Sequence, residues 1–175
     1  MAKIIFSLLL FSLGAFGQDS GKVQAEKFKK ESATVERAIN AAAEQIVPGI
    51  GVVQSAKGTY LEGYGAVFTL QMMLEPTRNP FSGLKSPAEV RSSVTQRRKD
   101  IQARLAGLLQ ERAAAMDSIG ASGSVSIVLY LINSNPADMP DLPGQLVITV
   151  KKQDAVDFRD KKIADLSNRI SVREY

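Results

Sequence analysis

Residues 50–73 read IGVVQSAKGTYLEGYGAVFTLQMM, and the way this run divides decides the fold. Ile50 to Ala56 is short, apolar and rich in β-branched residues, as a strand requires. Lys57-Gly58 follows as punctuation, and Gly58 can supply the positive φ that a tight hairpin turn needs. The run from Thr59 onward is then a second, antiparallel arm. Beyond Gly65 it alternates: Ala66, Phe68, Leu70 and Met72 face one way, and Val67, Thr69, Gln71 and Met73 face a half-polar other side. Gly63 and Gly65 flank Tyr64 inside this arm, where glycine costs backbone entropy and packs nothing. Two explanations fit. Either the glycines bare the backbone for a ligand under Tyr64, or they bend a long twisted strand as a bulge does.

Working outward, Ala25 to Val47 repeats Phe28, Val35, Ile39, Ala42 and Ile46 at helical spacing, and Pro48-Gly49 stops it. Downstream, residues 75–87 form a proline-rich loop. Ser86-Pro87-Ala88-Glu89 then opens a helix, with Ser86 as cap and Glu89 reaching back. This helix runs to about Ser118 on an apolar stripe of Val90, Val94, Ile101, Leu105, Leu108 and Leu109. Its other face is basic. Ser124–Ile132 is a strand with apolar residues on both faces near its end, hence central. Asn133–Gly144 is a loop, Gln145–Lys151 an alternating strand, and Asp154 caps a last helix whose inward set is Phe158, Ile163, Leu166 and Ile170. The final SVREY is a tail. The expected fold is α+β: an antiparallel sheet of about four strands with helices packed on one face, in the order α-β-β-α-β-β-α.

The first 17 residues have another character. One cation, Lys3, precedes an apolar run from Ile4 to Phe16, and Ala15 and Gly17 stand at the spacing of a signal-peptidase site. The run is shorter than the roughly 20 residues that span a bilayer. The sequence therefore predicts a signal peptide cleaved between Gly17 and Gln18, a single domain over 18–175, and export to the periplasm or beyond, with no transmembrane span left after cleavage. Loss of Lys3 leaves a formal charge of +3. So mild a charge does not point to nucleic acid.

The chain contains neither cysteine nor histidine. Serine–histidine and cysteine–histidine nucleophiles are excluded, as are thiolate and imidazole zinc sites. Any catalysis would rest on carboxylates, Lys, Tyr, Ser or Thr. Glu62 and Glu75 bracket the long strand and lie roughly 40 Å apart along extended chain at about 3.3 Å per residue, too far for a glycosidase pair. Asp138 and Asp141 lack the acid count and glycine turn of a calcium loop. Asp154, Asp157 and Asp160 suit the start of a helix, where acids complement the macrodipole. No cofactor or metal is expected. Two candidate binding features remain: Gly63, Tyr64 and Gly65, and the basic run Arg97, Arg98 and Lys99, placed on the solvent side of the long helix.

YLEGYGAVFTLQM (Tyr60–Met72), the long basic helix and VSIVLYLIN (Val125–Asn133) together resemble a group of exported bacterial proteins that share a Gly-Tyr-Gly-x-Val-Phe strand downstream of a signal peptide. The likeness covers about two thirds of the chain after residue 17. It implies export and the α+β fold, and it carries no activity and no functional residues. The function expected is a non-catalytic binding or structural module of the cell envelope, with an envelope protein or ligand as partner. Two alternatives stand beside it: a carboxylate-based hydrolase using Glu62, and a module docking on anionic surfaces through Arg97, Arg98 and Lys99.

Overall fold

The computed structural model describes residues 18–49, 51–75, 86–134, 136 and 139–175, with side chains of the first helix described from Gln24 onward. The expected signal peptide with Gly17, most of the 75–87 loop, and Asp138 lie outside these residues. Gln18 is the first residue of the first helix.

The elements run α1 (Gln18–Ile46), β1 (Val52–Leu61), β2 (Gly65–Met73), α2 (Pro87–Arg112), β3 (Ser124–Ile132), β4 (Gln145–Lys151), α3 (Lys152–Arg159) and β5 (Ser171–Glu174). The strands form one sheet in the order β1-β2-β3-β4-β5. Among the described residues, no helix is long and apolar enough to cross a membrane.

The alternation read in the sequence sets the two faces of the sheet. Ala66, Phe68, Leu70 and Met72 of β2, Val125, Ile127 and Leu129 of β3, and Leu146, Ile148 and Val150 of β4 are all buried in one cluster. α1 contributes Phe28, Val35, Ile39 and Ala42 to that cluster, and α2 contributes Val90, Val94, Ile101, Leu105 and Leu109. Both long helices therefore cover the same face. Each of the larger side chains stabilises the fold by about 1.5–3 kcal/mol through burial. α2 begins as its sequence requires: Glu89 N–H donates to the Ser86 hydroxyl, and the Ser86 N–H donates to the Glu89 carboxylate (2.7 Å).

Several expectations need correction. Among the described residues the sheet has five strands, and it is only mostly antiparallel: β2 and β3 pair in parallel, Gly65 with Ser124 through Met73 with Ile132. The reason is α2, which carries the chain back along the covered face, so β3 starts at the same end as β2. The hairpin turn is not Lys57-Gly58. β1 runs straight through it, and the turn is Glu62–Tyr64, with Leu61 paired to Gly65. Gly58 is a glycine for another reason: a Cβ there would meet the Phe68 ring at 2.7 Å and Ser32 at 3.0 Å, where α1 crosses. α2 ends at Arg112 and continues as a 3₁₀ turn over Ala113–Ala115.

Finally, the last helix is short. It stops at Arg159, where Lys161 adopts a left-handed conformation (φ 59°) and Lys162 N–H closes back on the Asp157 carbonyl. Lys151, not Asp154, occupies its cap position, and Asp154 instead pairs with Arg169 (2.7 Å). The supposed tail is β5, antiparallel to β4.

β1 is an outer strand, and such strands invite unwanted pairing. α1 answers two of its donors: Ala56 N–H donates to Asn40 Oδ1 and Gly58 N–H to Glu36 Oε1, both at 2.8 Å.

Candidate functional site

Both long helices lie on one face, so among the described residues no helix covers the opposite face of the sheet. Its positions are Val67, Thr69, Gln71 and Met73 of β2, Ser126, Val128 and Tyr130 of β3, Val147 and Thr149 of β4, and Ser171 and Arg173 of β5. Most are half-buried, Ser126 is buried, and Tyr130, Ser171 and Arg173 are exposed.

The glycine-flanked tyrosine sits at one end of this face. Tyr64 N–H donates to the Leu61 carbonyl (3.1 Å), closing a four-residue turn whose third residue, Gly63, has φ +75°. A type II turn needs positive φ at that position. Gly65 is tighter: its φ is +128°, and a Cβ would overlap the Ser124 carbonyl oxygen and approach Ser124 N at 2.8 Å. Ser124 N–H in turn donates to the Tyr64 carbonyl at 2.7 Å. Gly63 therefore makes the turn and Gly65 lets β2 start against β3.

Their joint effect is to lay Tyr64 over the uncovered face. Its hydroxyl lies 2.5 Å from Ser126 Oγ, which lies 2.7 Å from Thr149 Oγ1. Ser126 is 1% exposed, so this chain of three hydroxyls satisfies a buried polar group. Beside it Tyr64, Val147, Thr149, Ser171, Arg173 and Tyr175 line a cavity of about 300 Å³. That is the lower end of ligand-pocket sizes, about 300–1,000 Å³. Tyr175 is fixed there by reciprocal backbone hydrogen bonds with Gln145 (3.0 and 3.1 Å).

The basic run does not join this site. Arg97 donates to the Leu74 carbonyl (2.7 Å) and tethers the end of β2 to α2. Arg98 pairs with Glu174 (2.7 Å) and ties α2 to β5. Of the three, Lys99 is exposed and Arg97 and Arg98 are half-buried. Arg98 also borders a second hollow of about 260 Å³ between α2 and residues 139–143, with Arg91 and Asp141 on its rim. Glu62 is exposed in the turn, outside the cavity lining. Among the described residues no three acidic side chains gather where they could hold a metal ion.

One chemically unusual group escaped sequence reasoning. Lys152 is buried, and its ammonium donates to the carbonyls of Ala113 (3.2 Å), Ala114 (2.7 Å) and Met116 (3.1 Å). Burial lowers its pKa, while the charges of Asp117 and Glu31 act the other way. All three donors are engaged by the end of the α2 segment, where a cation complements the helix dipole. Lys152 is thus a cap for that end. Glu31 of α1 seals it from the other side, accepting from the Ser118 hydroxyl (2.5 Å) and N–H (3.0 Å).

Of the cavity residues, Tyr64 was visible as a candidate in the sequence, and Ser126, Thr149, Arg173 and Tyr175 were not. The available signal was the run of hydroxyl residues at the outward positions of two alternating strands. No protein-family model, no curated protein and no solved structure matches this chain.

Proposed function

We propose that this protein is an exported, non-catalytic binding module of the cell envelope, and that it holds its ligand on the uncovered face of its sheet, at the cavity beside Tyr64. Export rests on the order of Lys3, the apolar run and the small residues Ala15 and Gly17. The observation that carries the binding reading is the construction at Tyr64. Two glycines and a buried serine hold an aromatic ring over an otherwise bare sheet, beside a concave, part-polar surface. Concave sites with a few fixed polar groups are where ligands bind.

The test has two arms. Cells expressing the full chain are fractionated and the recovered protein is sequenced from its amino terminus; a start at Gln18 in the exported fraction is expected, and retention of the whole chain in the cytosol overturns export. Amide correlation spectra are then recorded with a panel of small envelope-type glycans and peptides. Shifts gathered on Tyr64, Ser126, Val147, Thr149, Ser171 and Arg173 support the reading. Shifts confined to the α1–α2 side overturn it.

A further inference from the structure

The charges of the sheet are distributed unequally between its faces. Across all five strands the charged residues are Lys57, Lys151, Arg173 and Glu174. Glu174 pairs with Leu146, a residue of the covered face, and is neutralised there by Arg98 of α2. The other three occupy outward positions, so the uncovered face carries cations and no strand carboxylate. Lys57 leans round the sheet edge to Glu36. Arg173, by contrast, lines the cavity and has no hydrogen bond or ion pair among the described residues, whereas Arg97, Arg98, Arg159 and Arg169 are all engaged.

The hydroxyl chain adds a second donor. Three hydroxyls supply three protons, and the two links use two of them. Either hydroxyl of each pair can donate; where Tyr64 donates to Ser126 and Ser126 to Thr149, the Thr149 proton is left over at the cavity wall. In the register, Thr149 faces Ser171 and Val147 faces Arg173, so Thr149, Ser171 and the guanidinium are near neighbours. A guanidinium fork matches a carboxylate in a bidentate manner. Hydroxyls and flanking tyrosines suit a compact hydroxylated ring, and the cavity volume admits one such ring.

Resting on the binding reading above, we infer that this cavity takes an acidic sugar: a hydroxylated ring whose carboxylate lies on Arg173 and Thr149. The sugar arrives free or as the exposed end of a uronate-containing chain. Both present the same chemistry to the cavity.

The experiment titrates the protein with D-glucuronate, a short uronate oligomer, glucose and inorganic phosphate at low ionic strength, followed by amide and arginine side-chain resonances. Glucuronate is expected to move Arg173 and Thr149 at concentrations at least about tenfold below glucose, in line with a charge-assisted pair. A tighter fit for the oligomer identifies a chain end as the source; equal affinity identifies the free sugar. Arg173→Gln is expected to lose the glucuronate response about tenfold or more with the rest of the spectrum unchanged, and Arg173→Lys to fall between. Equal affinity for glucose and glucuronate, full affinity in Arg173→Gln, or phosphate matching glucuronate each overturns the assignment. If none of these probes moves the cavity but another panel member does, the face binds and the acidic-sugar assignment falls. If nothing moves it, both fall.

Discussion

Gly65→Ala tests how the two glycines divide their work. The new Cβ meets two separate obstacles. The backbone at φ +128° is one that L-residues rarely adopt, which costs about 1–3 kcal/mol. The Cβ also overlaps the Ser124 backbone, so β3 must move and the 2.7 Å bond from Ser124 N–H to the Tyr64 carbonyl is lost or stretched, about 1 kcal/mol more. The expected destabilisation is about 3 kcal/mol. Gly63→Ala is the internal control, because its φ is also positive but nothing lies within 4 Å of its Cβ. It bears the conformational cost alone, about 1 kcal/mol. In urea unfolding with an m-value of about 2 kcal/mol/M, the midpoints fall by about 1.5 M and about 0.5 M respectively. Both variants should keep the wild-type slope. Equal midpoint shifts would refute the claim that contact with Ser124 is what demands glycine at 65.

Lys152→Met removes the donor to three carbonyls and is expected to cost about 2–3 kcal/mol by chemical denaturation. Burial holds the pKa of Lys152 below the ordinary 10.5, so between the folded value and 10.5 the unfolded chain binds the extra proton. Stability from this group therefore rises with pH in that window. The gap between wild type and Lys152→Met should widen there, and a narrowing gap would contradict the assignment. Replacing Asn40 and Glu36 together by alanine leaves the Ala56 and Gly58 N–H groups of β1 unanswered; a loss of about 2 kcal/mol is expected. Light scattering should then reveal larger species as the edge opens, and a profile unchanged from wild type would count against edge protection. Ser86→Ala removes the capping box of α2 and should lower stability by about 1 kcal/mol in the same denaturation assay, with no change meaning that the cap is unimportant.

Much of the fold is legible in the residues because burial imposes a period. The stripe Phe28, Val35, Ile39, Ala42 and the alternation of Ala66, Phe68, Leu70, Met72 both lie in the core as spaced. Alternation fixes which face a residue occupies but not which way a neighbouring strand runs, so the parallel β2–β3 pair was hidden. Gly58 looked like a turn because a glycine required by a crossing helix and one required by positive φ are the same letter. β5 was overlooked because Leu166 and Ile170 keep helical spacing across a break that depends on one left-handed residue, Lys161. The candidate site was half visible. Tyr64 between two glycines stood out, but its companions Ser126, Thr149 and Arg173 are assembled only by strand register. Arg97 and Arg98 looked solvated for the opposite reason: their partners, the Leu74 carbonyl and Glu174, lie 23 and 76 residues away.

The parallel pairing of β2 with β3 has a kinetic consequence. The β1–β2 hairpin closes over three residues, 62–64, whereas the β2–β3 ladder must wait for the chain from 74 to 123 to be gathered in. Loop-closure entropy makes that step dearer by about 2.5 kcal/mol, before α2 shortens the path by becoming helical. The sheet thus has a late-forming seam down its middle, with α1, β1 and β2 on one side and β3, β4 and β5 on the other. Tyr64 belongs to the first half, and Thr149 and Arg173 belong to the second. A ligand seated between them would act as a clasp across the seam, slowing its opening and leaving the folding of each half as fast as before.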